Sequence, residues 1–239
     1  MDPKDPLAAN LPAPTAARPL LGLTVLVVED SRFACEALRL LCLRSGARIR
    51  RADCLRSARR HLRVYRPTVV IMDLGLPDGD GCQLIEELTQ AQPRVEAILA
   101  ISGDTDTEAA AMAAGADGFM AKPITSVAAF QAKLLGLLPE DRRPFGPREV
   151  SDAEISPDRI AYLDDMAHAA DMLDTTPDGN ALDYVAQFLS GVARSAEDQR
   201  MERAAQALAT RRAAGQSASS ETAIIVGMIQ ERLAQRLAI

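Results

Sequence analysis

Five residues equipped for chemistry, Glu29, Asp30, Asp73, Ser102 and Lys122, each stand where a hydrophobic run ends. The runs are Thr24 to Val28 before the acid pair, Thr68 to Met72 before Asp73, Ala97 to Ile101 before Ser102, and Gly118 to Ala121 before Lys122. Three carboxylates, a short hydroxyl and an amine suit phosphoryl chemistry. A carboxylate that attacks phosphorus needs its own charge offset, and a hard divalent ion such as Mg²⁺ or Mn²⁺ held by oxygen ligands does that. Asp30 and Asp73 suit direct coordination, Glu29 suits coordination through a bound water, and the backbone carbonyl of Gly75 completes the protein ligands. Lys122 offers a point charge for a phosphate oxygen and Ser102 a hydroxyl donor. Alone, an acid pair after a strand is ordinarily a solvated turn, and Lys-Pro ordinarily opens a loop. Their order and their common placement after strands carry the reading.

The elements that position these groups follow from the same runs. Each reads as a strand buried on both faces, and in an open parallel sheet the residues that follow the strands share one crevice. Strand Thr24 to Val28 leads into a helix from Ser31 to about Arg44, capped by Ser31 and stopped by Gly46. A weaker strand near Ala47 to Ala52 precedes a helix from Leu55 to Tyr65, ended by Pro67. Leu74 to Gly79 is expected to be a loop, followed by a helix through Gln90; further helices are expected from about Asp104 to Ala114 and from Ser126 to Leu138. Five β/α units predict an α/β fold, a five-stranded doubly wound parallel sheet.

Composition sets looser bounds. The 239 residues carry a net charge of −6, so the overall field offers nothing to nucleic acid or an anionic membrane. Lysine occurs only at 4, 122 and 133, which sets Lys122 apart from a background of arginines. Cys35, Cys42, Cys54 and Cys82 lack metal-ligand spacing and read as reduced core residues of a cytoplasmic protein. No apolar stretch reaches membrane-spanning length, and the proline-rich first twenty residues read as a disordered tail rather than a leader.

The strings VLVVEDSR, VVIMDLGLPDGDG, ISG and GADGFMAKP resemble the signatures of response-regulator receiver domains, the phosphoacceptor modules of two-component signalling. The resemblance covers about residues 21 to 139 and implies a flavodoxin-like receiver fold. It implies that Asp73 is the phosphoacceptor, Glu29 and Asp30 the acid pair, Ser102 the switch hydroxyl and Lys122 the family's lysine. Glu29 replaces the more common first Asp. Pro123 falls where the family has a cis proline, Gly103 keeps the small residue beside the switch hydroxyl, and Phe119 occupies the switch aromatic position, where plain core packing is the equal alternative. The family further implies a regulatory protein rather than an enzyme, phosphorylated by a sensor histidine kinase or phosphotransfer protein. The response is expected to pass through the helix, strand and helix spanning about residues 104 to 138.

Beyond a linker at 140–150 rich in proline and glycine, apolar residues recur at helical spacing and predict an all-helical module over 151–239 with three or more helices. From Glu140 onward there are 17 acidic residues against 11 arginines, a balance poorly suited to DNA phosphates, and no basic recognition helix is evident. Arg203, Arg211 and Arg212 read as a solvated helix face. The favoured output is therefore protein binding or homodimerisation through the helices, ahead of a DNA-binding regulator. A phosphorelay through His168 ranks last, because Ala169 to Asp171 stand where histidine phosphotransfer domains carry Lys and Gly.

Overall fold

The computed structural model describes residues 13–147, 151–175 and 179–236. Residues 1–12 of the expected tail, residues 148–150 of the expected linker, and Pro177 lie outside the described residues. The first half alternates β1 (Thr24–Val28), α1 (Arg32–Ser45), β2 (Arg48–Ala52), α2 (Leu55–Val64) and β3 (Val69–Asp73). The short β4 (Gly75–Leu76) and β5 (Gly79–Asp80) follow, then α3 (Gly81–Gln90), β6 (Ala97–Ser102), α4 (Glu108–Ala113), β7 (Gly118–Ala121) and α5 (Val127–Leu137).

The five long strands form one parallel sheet in the order β2-β1-β3-β6-β7. Its order doubles back at β1, as a doubly wound sheet requires. Alternation along each strand splits the apolar runs between two cores. Val25, Val27, Val69, Ile71, Leu99 and Ile101 pack on the side of α1 and α5. Leu26, Val28, Val70, Met72, Ile98 and Ala100 pack on the side of α2, α3 and α4. Burying each Val, Leu, Ile or Met among them stabilises the fold by about 1.5–3 kcal/mol, which is why the strands read as unbroken apolar runs. Local signals set the helix ends. Ser31 Oγ accepts the Ala34 N–H at 3.0 Å, and Gly46 ends α1 at a φ of 88°, a left-handed conformation that glycine adopts without strain.

Two local expectations change. The stretch Leu74 to Gly79 is not simply a loop, because β4 and β5 pair antiparallel across it. The helix expected from Asp104 begins instead as a 3-10 turn at Thr105–Thr107. There the Asp104 side chain accepts the Asp106 N–H at 3.0 Å and the Thr107 hydroxyl donates to the Asp104 carbonyl at 2.6 Å, local bonds that compete with α-helix.

The second half is helical: α6 (Arg159–Thr175), α7 (Gly179–Ser195), α8 (Gln199–Ala213) and α9 (Ser219–Arg236). Each packs on the next and α9 returns to α6, enclosing Met166, Leu189, Met201 and Ile225. The segment leading into it is tied to the sheet half, since Ile155 is buried in the α1/α5 core and its N–H donates to the Thr125 carbonyl at 3.0 Å. Phe33, in the first turn of α1, is buried in the core of the helical module. The module is therefore seated on the sheet half, at the start of α1.

Candidate functional site

Register brings the strand ends together. Val28 lies opposite Met72, Asp73 opposite Ile101, and Ser102 opposite Ala121, so the residues that follow line one edge of the sheet. The Lys122 N–H then donates to the Ser102 carbonyl at 2.8 Å. Glycine is required behind Asp73, because a Cβ at Gly81 would stand 2.2 Å from the Asp73 carbonyl oxygen.

Glu29, Asp73 and Ser102 are only 1%, 4% and 4% exposed, and Asp30 is partly buried. Lys122 Nζ lies 2.9 Å from Glu29 Oε2 and 3.0 Å from Asp73 Oδ1, so one ammonium bridges two buried carboxylates. The Ser31 N–H donates to Asp30 Oδ1 at 2.9 Å and to Glu29 Oε1 at 3.2 Å, while the Gly75 N–H donates to the Asp73 carboxylate. Ser102 Oγ accepts the Asp104 N–H at 3.1 Å.

Electrostatics follow from crowding in a dry pocket. Burial pushes Asp73 up to about 7, with the charge of Glu29 adding to it, and pushes Glu29 up to about 7 against the pull of Lys122. Asp30 rises to about 6, through burial and then the charge of Asp73. Burial opposes the charge on Lys122, but Asp73, Glu29 and Asp30 outweigh it and raise its pKa. Carboxylate oxygens of Glu29, Asp30 and Asp73 all lie within 4.8 Å of one another. Three carboxylates against one ammonium leave an excess of negative charge, and this all-oxygen donor set fits a hard divalent cation.

The structure brings Glu29, Asp30, Asp73, Gly75, Ser102 and Lys122 to one cleft of about 770 Å³. Phe119 is elsewhere, buried in the α2/α3/α4-side core with Ala111 and Ala114. His168 is solvent-exposed on α6, its ring edge-to-face with Phe188 at 5.6 Å between centroids. The Lys122-Pro123 peptide is cis.

Residue types and spacing gave no notice of the opposite wall of the cleft. It is α7, which contributes Gln187, Phe188 and Arg194 to the same lining. The Tyr184 hydroxyl donates to Asp30 Oδ2, and Arg194 Nη1 donates to the Gly103 carbonyl. Gln187 Nε2 stands 2.7 Å from where a Gly75 Cβ would be. Asp165 of α6 accepts the Ser31 hydroxyl at 2.8 Å and the Arg32 and Phe33 N–H groups at 2.7 and 3.1 Å. Polar residues set among the apolar positions of α6 and α7 were the available signal.

Comparisons with known proteins match the first half of the chain. Residues 25–133 match the family described as the response regulator receiver domain. The KDP operon transcriptional regulatory protein KdpE of Escherichia coli is 34% identical over 110 residues, 46% of this chain and 48% of KdpE. The virulence transcriptional regulatory protein PhoP of Salmonella typhimurium is 30% identical over 100 residues, 41% of this chain and 45% of PhoP. The chain spans about half the length of the curated relatives it matches. A solved signal receiver domain of a histidine kinase from Syntrophus aciditrophicus is 25% identical, covering 48% of this chain and 89% of its own at a TM-score of 0.44. Among the described residues no helix is long and apolar enough to cross a membrane. With its five-stranded parallel sheet, acidic pocket and family match together, the first half of this chain is a response-regulator receiver domain of the two-component type, followed by an all-helical C-terminal module.

Proposed function

We propose that the chain is a phosphoacceptor regulator. Asp73 takes a phosphoryl group from a sensor histidine kinase, a phosphotransfer protein or a small phosphodonor, and the C-terminal helices deliver the response by binding protein, a second copy included. The observation that carries this reading is the Lys122 ammonium bridging Glu29 and Asp73 inside a cluster of three carboxylates.

Asp30 and Asp73 directly, Glu29 through water and the Gly75 carbonyl would hold a Mg²⁺ or Mn²⁺, which when bound offsets the charge of the incoming phosphate. An Asp73 carboxylate oxygen attacks phosphorus; the bond from phosphorus to the donor imidazole nitrogen, or to the acetyl oxygen of acetyl phosphate, breaks and its electron pair leaves with the imidazole or the acetate. Lys122 turns from Glu29 to a phosphate oxygen, and the Ser102 hydroxyl donates to another. Neither residue needs to travel far, since both already line the cleft.

KdpE and PhoP are transcriptional regulators by name, but the likeness to them spans less than half of this chain. The acidic balance of the residues from Glu140 onward favours a protein partner over DNA. Acetyl phosphate with Mg²⁺, read by intact-mass and peptide mass spectrometry, tests the acceptor. The wild type gains one phosphoryl group on Asp73 and Asp73→Asn gains none. Equal labelling of that variant, on His168 or anywhere else, overturns the reading.

A further inference from the structure

One of the carboxylates assigned to the metal, Asp30, is already engaged by the other half of the chain. Asp30 Oδ1 accepts the Ser31 N–H at 2.9 Å and Oδ2 accepts the Tyr184 hydroxyl. An ionised carboxylate can only accept, so the phenol is the donor. Mg²⁺ demands near-octahedral geometry at about 2.0–2.1 Å and keeps several waters. A phenol oxygen in hydrogen-bonding contact with Asp30 Oδ2 takes up the space that the ion and its waters need.

Tyr184 does not reach Asp30 by chance of a loose surface contact. Its ring stacks on Phe188 with centroids 5.8 Å apart, and Phe188 is buried in the core of the module. Further along α7, Gln187 and Arg194 continue along the same cleft, Gln187 against Gly75 and Arg194 on the carbonyl of Gly103, next to Ser102. These three contacts of α7 therefore fall on groups assigned to the cation or flanking the switch hydroxyl.

We propose that Tyr184 is a competing ligand of the acidic site, so that α7 seated on the receiver half and a divalent cation on Asp30 exclude one another. Cation binding on Asp30 displaces the Tyr184 hydroxyl and lifts α7 from the cleft. The same residue sets the affinity of the site for the ion: the energy of the Tyr184–Asp30 bond is subtracted from that of metal binding. This inference rests on the phosphoacceptor reading, which assigns the cation to Asp30 and Asp73.

Two measurements on the full chain test it. Mg²⁺ titration by calorimetry compares wild type, Tyr184→Phe and Asp30→Ala; the phenylalanine keeps the stacking on Phe188 and loses only the hydroxyl. Tyr184→Phe is expected to bind Mg²⁺ about 10-fold more tightly, equivalent to about 1.4 kcal/mol. Hydrogen exchange on the wild type follows the amides of α7 with and without Mg²⁺ and beryllofluoride, and these amides are expected to lose protection by at least about 10-fold, the same energy. Unchanged or weaker affinity in Tyr184→Phe overturns the proposal while Asp30→Ala still abolishes binding, and so does α7 protection that is unchanged or increased on saturation. If Asp30→Ala binds Mg²⁺ like the wild type, the underlying assignment of the site fails instead.

Discussion

Asp165 on α6 caps a helix in the other half of the chain: its Oδ2 accepts the Ser31 hydroxyl at 2.8 Å, and Ser31 is itself the N-cap of α1. The same carboxylate takes the N–H groups of Arg32 and Phe33, donors that α1 leaves unpaired at its start, where a negative charge is favoured by the helix dipole. With Phe33 buried in the module's core beside it, this is one of the points at which the two halves are fastened.

Asp165→Ala removes three hydrogen bonds and leaves the first turn of α1 uncapped on that side. The variant should lose about 1–3 kcal/mol of stability in urea unfolding and show faster amide exchange at Arg32 and Phe33. Unaltered exchange at those two amides would mean that the module does not hold α1 in solution.

The acid pair should divide its work unequally. Asp30 is free of Lys122 in direct contact, whereas Glu29 commits Oε2 to it at 2.9 Å. Loss of Asp30 removes a direct ligand, so Asp30→Ala should weaken Mg²⁺ binding more than Glu29→Ala does. Equal titration curves for the two variants would contradict that division.

How much of this could be read in the sequence depends on what each signal encodes. Strands buried on both faces give unbroken apolar runs, and the residue after each run must lie at the sheet edge; hence Glu29, Asp73, Ser102 and Lys122 could be grouped from the run endings alone. The seating of the module could not. Apolar periodicity gives α7 a buried face through Val185, Phe188, Leu189 and Val192 but does not say what covers the rest of the helix. Phe33 reads as one more apolar position of α1, and only the fold reveals that it leaves the α1 core for the module's. Tyr184 and Asp165 find partners 154 and 134 positions away, a separation that no local pattern reports.

Lys122 is the counter-charge of two buried carboxylates, so its loss should be felt in both stability and chemistry. Lys122→Met should be destabilised by about 3 kcal/mol at pH 8, where Glu29 and Asp73 lose their counter-charge and must either stay ionised without it or take up protons against the solution pH. At pH 5 the penalty should shrink, since both groups take up protons instead. Denaturant unfolding at the two pH values measures the difference, and a penalty independent of pH would argue against the pairing.

Protons and a divalent cation compete for the same oxygens. With Asp73 and Glu29 at about 7 and Asp30 at about 6, Mg²⁺ affinity should fall steadily as pH drops through 7 to 6 and level off in the alkaline range. For stability the sign is opposite. These folded pKa values lie above the unfolded ones near 4, so between about pH 4 and 7 the native state binds more protons than the unfolded chain. Their contribution is therefore present at low pH and lost as pH rises through 7. Replacing one of them by its neutral isostere should remove the loss, so metal-free Asp73→Asn should gain stability relative to wild type from pH 5 to pH 8. Thermal unfolding in a chelator at both pH values reads this directly, and a difference that does not change with pH would show the carboxyl to be ionised throughout.

The helical module has its own partly buried ionic group, with the reverse pH signature. Arg232 donates to both oxygens of Asp198, Nε to Oδ2 at 2.6 Å and Nη2 to Oδ1 at 2.8 Å, and the Tyr162 hydroxyl donates to Oδ2 at 2.6 Å. Asp198 also caps α8 by accepting the Met201 N–H at 3.1 Å. Burial alone would raise its pKa, but the bonds from Arg232, Tyr162 and Met201 win and hold it down at about 2. A depressed carboxyl contributes stability that is complete above its unfolded value near 4 and is lost as pH falls through 2; after solvent screening this amounts to about 1–2 kcal/mol. Arg232→Met should abolish most of that acid-side loss and, by leaving Asp198 without its charged partner, lower stability at pH 7 by about 1–2 kcal/mol. Urea unfolding at pH 7 and pH 3, followed by helical circular dichroism, distinguishes the two effects. A variant that loses the same stability at both pH values would show that Arg232 acts through packing rather than through its bond to Asp198.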